Sequence, residues 1–560
     1  MNAITPVAAR EAPPPNTGHE GAKFAAQRWS ELKTDRAAHE TMWQQLAELM
    51  RPQRGGFGLE SPTIRDHMQP LSSTPAHAAN NFAAGLYGTL TNPANRWFGF
   101  RTNDEDVNTW HPMRLWLDQV TNKVLASFMP STSTFYTAAT QVFSDLAVFG
   151  NAAQYEEVDL TEKKILDMTL SLAEVCYDID GFGRVCEVVR KFHLTPTAAL
   201  RMFQGKGNLP ARVADLAAKG DTGKIVFYQH VMKNDGFQPG KIGVRGKRWV
   251  SRYACEIDDT LVRESGYARM PFYAPRWDVD SGHIYGTGPG FVALAAARVH
   301  NRMQDATIRA AQKAADPTLL APDRQDWPLG GKIRPGSVVY GAVDQQGRAM
   351  LRPLDTSGGI NLTLQEKQAL VEEIKDAYHY TLLQLAGRTG MTATEVMAIT
   401  EERQRLYAPH QGRVQEEYLH VKIEARFEDL QRQGQLPPPP QGLPEGLALN
   451  VTYESAAAAA QKSVEGNAAL RILQDILPLA QLKPRLADRI DEDGLLEVLA
   501  EARGAPARML RSRDAADELQ AAREQAQQLA MGLQAAQQGA GIMKDLSAAG
   551  AAAQPQGAPA

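Results

Sequence analysis

Cysteine is scarce: the 560-residue chain has three, Cys176, Cys186 and Cys255. None belongs to a C-x-x-C pair, which argues against a zinc knuckle. Cys176 and Cys186 flank "YDIDGFGRV", a hairpin signal that could bring them near each other, but reduced buried thiols are the expected state. No apolar run reaches about 18 residues, so no membrane-spanning helix is expected. The N-terminus lacks a basic start followed by an apolar segment, so no secretory leader is expected. A basic surplus is also missing: 60 Lys and Arg stand against 64 Asp and Glu, a formal charge of −4. A protein that grips nucleic acid through phosphates shows a clear excess of cations, so tight bulk binding is not expected, although contact with moving DNA stays open. Aromatic residues make up only 7%.

Catalytic signatures are equally thin. There is no G-K-[ST] of a phosphate-binding P-loop and no G-x-S-x-G elbow. "GTGPG", Gly286 to Gly290, stands before an alanine-rich run, but "DVDSGHIY" upstream is polar and turn-like where a dinucleotide loop needs an apolar strand. The expected role of Gly286, Gly288, Pro289 and Gly290 is a sharp bend with close backbone approach, with Pro289 in the first helical turn, where its missing N–H does no harm. "DEDG" at 491–494 fails as a calcium loop because Arg489 and Ala500 would occupy ligand positions. Asp104, Glu105 and Asp106 could hold Mg²⁺ in a nuclease; an exposed acidic turn is the preferred reading. No metal or cofactor is expected.

What is present is helix and a compact strand region, an α+β chain that is predominantly helical. Helices are expected over Lys23–Pro52, around "AHAANNFAAGLYGTL", over Pro112–Met129 and over Ser133–Val148. Strands follow between Asn151 and Trp277, where "KKILDMTLSL", "AEVCYDID", "GRVCEVVRKF", "KIVFYQHVMK" and "WVSRYACEID" alternate in polarity. A helix of some 25 residues starts at Phe291, about 37 Å long at 1.5 Å per residue. A Pro- and Gly-rich segment separates it from a second long helix at Leu364–Leu385, with Thr363 and Glu366 as a capping box. "AGRTGM" interrupts, and a helix kinked at Pro409 follows. "QLPPPPQGLPEG" is a linker.

The two long helices carry opposite charge. Arg298, Arg302, Arg309 and Lys313 fall within an arc of about 60° at 100° per residue. Segment 291–315 is +3 overall, whereas the helix from Leu364, with Glu366, Glu372, Glu373 and Asp376 against Lys367 and Lys375, is −2. Leu370, Ile374 and Ala377 give that second helix one packing face. Residue patterns alone leave two arrangements open: an ordinary bundle with solvated charges, or antiparallel rods whose charged faces meet neighbouring copies.

Several pieces stand in a telling order: "NNFAAGLYGTLTNPANRWFGFR", "VFGNAAQYEE", "RKFHLTPTAALRMF", "ESGYARMPFYAPRWDVDSGHIYGTGPGFVALAAARVHNR", "IRPGSVV" and "GMTATEVMAITEERQRLYAPHQGRVQEEYL". In these the chain resembles the portal, or head-to-tail connector, proteins of short-tailed, podovirus-type phages, over roughly residues 25 to 435. The resemblance implies a ring, typically of twelve copies, at one vertex of the phage head, assembled in the host cytoplasm and retained at the head–tail junction of the virion. Double-stranded DNA would pass through it during packaging and ejection. Implied partners are the terminase large subunit, tail adaptor proteins, and the major capsid and scaffolding proteins, with no membrane.

The resemblance also implies regions: an unordered start at 1–22, a wing at 23–285, a first stem helix at 286–317, a clip at 318–360 and a second stem helix at 361–385. A tunnel loop at 386–392, an inner wing helix at 393–435, the linker at 436–448, a crown at 449–520 and a tail or barrel at 521–560 complete it. Arg388 and Thr389 in the tunnel loop would face DNA, or Arg388 would pair across a subunit boundary. The stem charges Arg298, Arg302, Arg309, Lys313, Glu372, Glu373 and Asp376 would face a neighbouring copy or the channel, the neighbour being favoured because opposite charges fix register. Another head–tail adaptor or tail component is the rival structural reading.

Overall fold

A computed structural model of the chain describes residues 18–57, 70–159, 161–315, 360–379, 409–442, 448–453, 468–476, 491–503 and 515–531, with a few short pieces besides. The chain divides into two compact units, Met1–Trp97 with Val124–Gln433, and Phe98–Lys123 with Gly434–Ala560. Arg388 and Thr389, most of the 318–360 segment and the extreme C-terminus lie outside the described residues.

The first unit opens with α1 (Gly18–Met50). Its buried residues Ala22, Ala25, Trp29, Leu32, Arg36, Trp43, Leu46 and Met50 recur three, four or seven apart, so one stripe of the helix faces inward. That stripe lies along an antiparallel meander of five strands in the order β4-β5-β6-β7-β8: Val175–Ile179, Val185–Leu194, Ile225–Lys233, Trp249–Cys255 and Thr260–Tyr267. Alternation sorts the strand residues. Cys176, Val189, Tyr228 and Ala254 pack under α1, while Phe192, Phe227, Tyr253 and Cys255 pack on the other face. Two short helices, α6 (Pro196–Phe203) and α7 (Ala211–Ala218), supply Ala199, Phe203 and Val213 to that second face. Cys176 stands opposite Val189, not Cys186, and both thiols are free. Burial pushes the Cys176 thiol up to about 11.

Along the chain, between α1 and this sheet, lie α2 (Thr74–Leu90) and α5 (Phe135–Phe149). The latter buries eleven residues, nearly all round, as a central helix must. It ends on Gly150 at φ +67°, the left-handed position that closes many helices. A second sheet, in the order β3-β2-β9, joins Lys164–Leu170, Ala153–Asp159 and Phe272–Tyr273.

Next come α8 (Pro289–Ala315) and α9 (Ile360–Ala377), packed against each other. Two short strands, β10 (Leu319–Leu320) after the first and β11 (Arg352–Pro353) before the second, pair antiparallel. At the other end, Tyr378 after α9 meets Phe82, which packs edge-on against Trp277 ahead of α8. The two helices therefore form an antiparallel hairpin. The second begins at Ile360, directly after the Gly358–Gly359 pair, so Thr363 is its fourth residue and not the expected cap. A further helix runs on from Pro409, passes through a π-helical turn at Gln415–His420, and continues as α10 (Val421–Arg432).

In the second unit β1 (Phe98–Thr102) pairs antiparallel with β12 (Leu449–Tyr453). The short α3 (Glu105–Thr109) follows the first of these strands. Next comes α4 (His111–Ser127), whose Trp116 indole donates to the Pro437 carbonyl at 2.9 Å within the proline run. Near the C-terminus stands α11 (Glu492–Ala502). No described helix is long and apolar enough to cross a membrane.

Candidate functional site: the helical hairpin and its root

The hairpin is rooted where the chain passes from the sheets into α8. Asn151 holds this turn from both sides: its amide nitrogen donates to the Gly286 carbonyl at 2.7 Å, and its amide oxygen accepts from the Gly286 N–H at 2.8 Å. Tyr177 donates to the same oxygen at 3.1 Å. Thr287 and Asp278 exchange backbone hydrogen bonds of 2.8 and 3.2 Å. The amides of Gly286 and Thr287 are thus already paired with protein acceptors and do not form a cradle for a phosphate.

Glycine is needed here for contact. A Cβ on Gly288 would lie 2.7 Å from the Gly150 Cα, and one on Gly290 would lie 2.2 Å from the Val148 carbonyl oxygen. On Gly286 it would meet the Asp278 carbonyl oxygen at 2.6 Å. The start of α8 therefore touches the end of α5 main chain to main chain. Tyr285, just before, packs at 4.6 Å between ring centres on Tyr177 and edge-on at 5.2 Å to Trp43.

Along α8, Ala293, Leu294, Ala296, Ala297 and His300 are buried. Burial, with a lesser contribution from the charge of Lys367, lowers the His300 pKa. The opposite face is open: Val292 is 71% exposed and Val299 47%, and Ala295, Arg302, Ala306 and Arg309 are exposed with them. These six recur at spacings of three and four, a heptad-like seam with small residues above and arginines below. On α9, Leu370, Ile374 and Ala377 turn inward as their spacing predicts, and Ile374 is fully buried. Glu366, Ala369, Glu373 and Asp376 form the exposed counterpart at the same spacing. Lys367 reaches across the hairpin to the Gln304 side-chain oxygen.

The predicted charged stripe is thus present in part. Arg302, Arg309 and Lys313 are exposed, with Arg309 paired to Asp305 at 2.9 Å. Arg298 is half-buried and turns to the Met42 sulfur of α1 at 4.0 Å. Glu372 and Glu373 are exposed, Glu372 pairing with Lys375 at 2.8 Å.

A buried ionic cluster, which sequence reading missed, fixes the helix that returns to the sheets. Glu156 and Asp167 stand directly opposite each other on β2 and β3. Like charges so placed repel. Lys422 and Arg426, one turn apart on α10, supply the cations: Lys422 contacts both carboxylates, and Arg426 lies 3.0 Å from Asp167 and 3.5 Å from Glu156. Ser133 donates to Asp167 at 2.8 Å and Tyr273 to Glu156 at 3.3 Å. Burial alone would raise the Glu156 carboxyl, but Lys422 and Arg426 hold it below its ordinary value. The sequence carried no signal that these residues meet: the cation of β3, Lys164, stands at the far end of that strand, and Lys422 is 255 positions from Asp167 and 266 from Glu156.

The acidic turn has a structural role. Asp104 caps α3, its carboxylate accepting from the Asp106 N–H at 3.0 Å. Among the described residues no group of three or more His, Cys, Asp or Glu is placed to hold a metal.

An α+β chain with an antiparallel helical hairpin rooted through glycine contacts, and a returning helix held to the sheet by buried ion pairs, is the class these features define. Residues 22–510 match the family of the bacteriophage head to tail connecting protein, and the chain belongs to that family. It is 28% identical over 495 residues to the "Probable portal protein" of Bordetella phage BPP-1, covering 86% of this chain and 87% of the relative. It is 26% identical over 553 residues to the "Portal protein" of Salmonella phage epsilon15, covering 95% and 97%.

Proposed function

We infer that the chain is the structural portal subunit at the head–tail junction of a phage virion, a self-assembling ring component and not an enzyme. The observation that carries this beyond family membership is the hairpin: two opposed rods with exposed, heptad-spaced faces, arginines on α8 and carboxylates on α9. A face of Val, Ala and Arg and a face of Ala, Glu and Asp suit one another between copies. Because the two faces differ, the contact is head-to-tail and repeats until it closes into a ring. Charge opposition sets its register.

In this reading the hairpin is the stem, the 318–360 segment the clip, and twelve copies surround a channel for double-stranded DNA. Arg388 and Thr389 face that channel. The bore must let DNA slide, and each added phosphate contact strengthens binding by releasing counterions, so a chain of net charge −4 suits passage better than grip. The large terminase subunit supplies the motor from the clip side, and tail adaptors replace it after packaging, while capsid and scaffolding proteins contact the wing.

Light scattering and negative-stain imaging of the purified chain test this. The expected result is an annulus with a central hole and a mass that is a multiple of 61.3 kDa. Arg302→Glu with Arg309→Glu should abolish it, and adding Glu366→Lys with Glu373→Lys should restore it. A chain that stays monomeric at high concentration overturns the reading.

A further inference from the structure

The connection between β6 and β7, residues 234–248, is a rigid basic finger. Asn234 organises it, its amide nitrogen donating to the carbonyls of Val244 at 2.9 Å and Lys247 at 2.8 Å. The Gln238 N–H donates to the Arg245 carbonyl at 2.7 Å. Gly240 and Gly243 take φ of +81° and +83°, and a Cβ on Gly246 would fall 1.7 Å from the Lys241 carbonyl oxygen. This fixed loop presents Ile242, 99% exposed, between those two glycines. Lys241, Arg245 and Arg248 are exposed around it, and among the described residues none of the three is paired with a carboxylate. Asp235 is the loop's one acidic residue.

At the other end of β6 lies an open cleft of about 250 Å³. Leu216 of α7, Ile225, Val226 and Ile257 give it an apolar floor, and Asp221 and Glu256 stand on its rim. Asp258, exposed, follows two residues after Glu256, so carboxylates outnumber the single rim cation, Lys224. The finger cannot enter its own cleft. The nine residues of β6 hold the two about 30 Å apart at roughly 3.3 Å per residue.

We propose that the finger of one copy seats in the cleft of the next, Ile242 on the apolar floor and Lys241 and Arg245 against Glu256 and its neighbouring carboxylates. An apolar tip ringed by cations matches an apolar floor ringed by carboxylates. Duplex DNA would answer the cations but offers nothing to a fully exposed isoleucine. Finger and cleft occupy opposite ends of one strand, so their union is heterologous and propagates in one direction, as ring closure requires. This inference rests on the reading of the chain as a ring subunit and adds a second contact, in the sheet region, to the one between hairpins.

The test uses the full chain. Ile242→Cys with Leu216→Cys should give, on mild oxidation of assembled rings, a ladder of disulfide-linked multimers, with the 242–216 peptide identified by mass spectrometry. Either cysteine alone should give no ladder. Ile242→Asp, at a fully solvated site, should abolish or sharply reduce rings while leaving the melting temperature of the subunit unchanged. Arg245→Glu should do the same, and Glu256→Arg in the same chain should restore assembly. Rings of the double-cysteine variant without crosslinks overturn the contact while leaving the ring reading intact. Intact rings in Ile242→Asp, with DNA retention lost on Lys241→Glu and Arg245→Glu, overturn it in favour of DNA. A wild-type chain that never assembles overturns both.

Discussion

Arg276 and Glu417, 141 positions apart, meet through two prongs: Nε donates to Oε2 at 3.1 Å and Nη2 to Oε1 at 2.7 Å. The Arg276 backbone N–H also donates to Oε2, at 3.0 Å, while the guanidinium reaches the carbonyls of Gly183 at 2.6 Å and Ile284 at 3.2 Å. Glu417 sits in the π-helical turn, so this pair ties that turn to the strand end just ahead of the hairpin root. Glu417→Gln keeps the shape and removes the charge, leaving a buried guanidinium short of its partner. Urea unfolding should show a loss of about 2–3 kcal/mol. Replacing both residues by apolar ones of similar size should recover much of it.

Gly290→Ala should destabilise more than an alanine in a helix ordinarily could. The added methyl would fall 2.2 Å from a main-chain oxygen, so α8 must shift away from α5. The expected loss is about 1–3 kcal/mol, seen as a lower melting temperature. Val292→Ala, on the exposed face of the same helix, serves as a control and should leave the isolated subunit unaffected.

Acid should weaken the fold through Glu187. Burial alone would raise its carboxyl, but hydrogen bonds from His230 at 2.7 Å and Arg28 at 2.9 Å, with their charges, hold it at about 2 against an ordinary 4.5. A depressed carboxyl contributes stability above its unfolded value and loses it as pH falls through the folded one. The window is therefore pH 4.5 down to 2, and the contribution is about 3 kcal/mol. Glu187→Gln should be less stable at neutral pH, and its urea midpoint should fall less steeply across that window.

Asp104→Ala removes a helix cap and should lower the stability of the second unit by about 1 kcal/mol. Neither this variant nor the parent should cleave plain DNA with Mg²⁺ present. Cleavage by the parent that vanished in the variant would make the acidic turn catalytic.

Much of this was visible in the residues because the signals were local. The alternation in "KIVFYQHVMK" and the stop at Pro52 mark elements the structure contains, β6 and the end of α1. The polar lead-in to "GTGPG" argued against a dinucleotide loop, and an added Cβ on Gly286, Gly288 or Gly290 would meet main-chain atoms at under 3 Å. Other features had no local signal. The strand Thr260–Tyr267 was missed because Arg263, Glu264 and Ser265 interrupt its apolar alternation. The pairing of β1 with β12 joins segments more than three hundred residues apart, and no pattern in either names the other. The ion cluster was invisible for a related reason: Glu156 and Asp167 need Lys422 and Arg426, which a distant helix brings. The exposed seam on α8 escaped because only charges were followed; Val292, Ala295, Val299 and Ala306 complete its period.

The naked junction at Gly150, Gly288 and Gly290 has a mechanical consequence. Side chains are the compliant layer between packed elements, and here that layer is missing. A push or twist delivered to the far tip of α8 meets nothing soft before it reaches the last turn of α5. Force applied at that tip would thus arrive in the interior as displacement instead of being absorbed on the way.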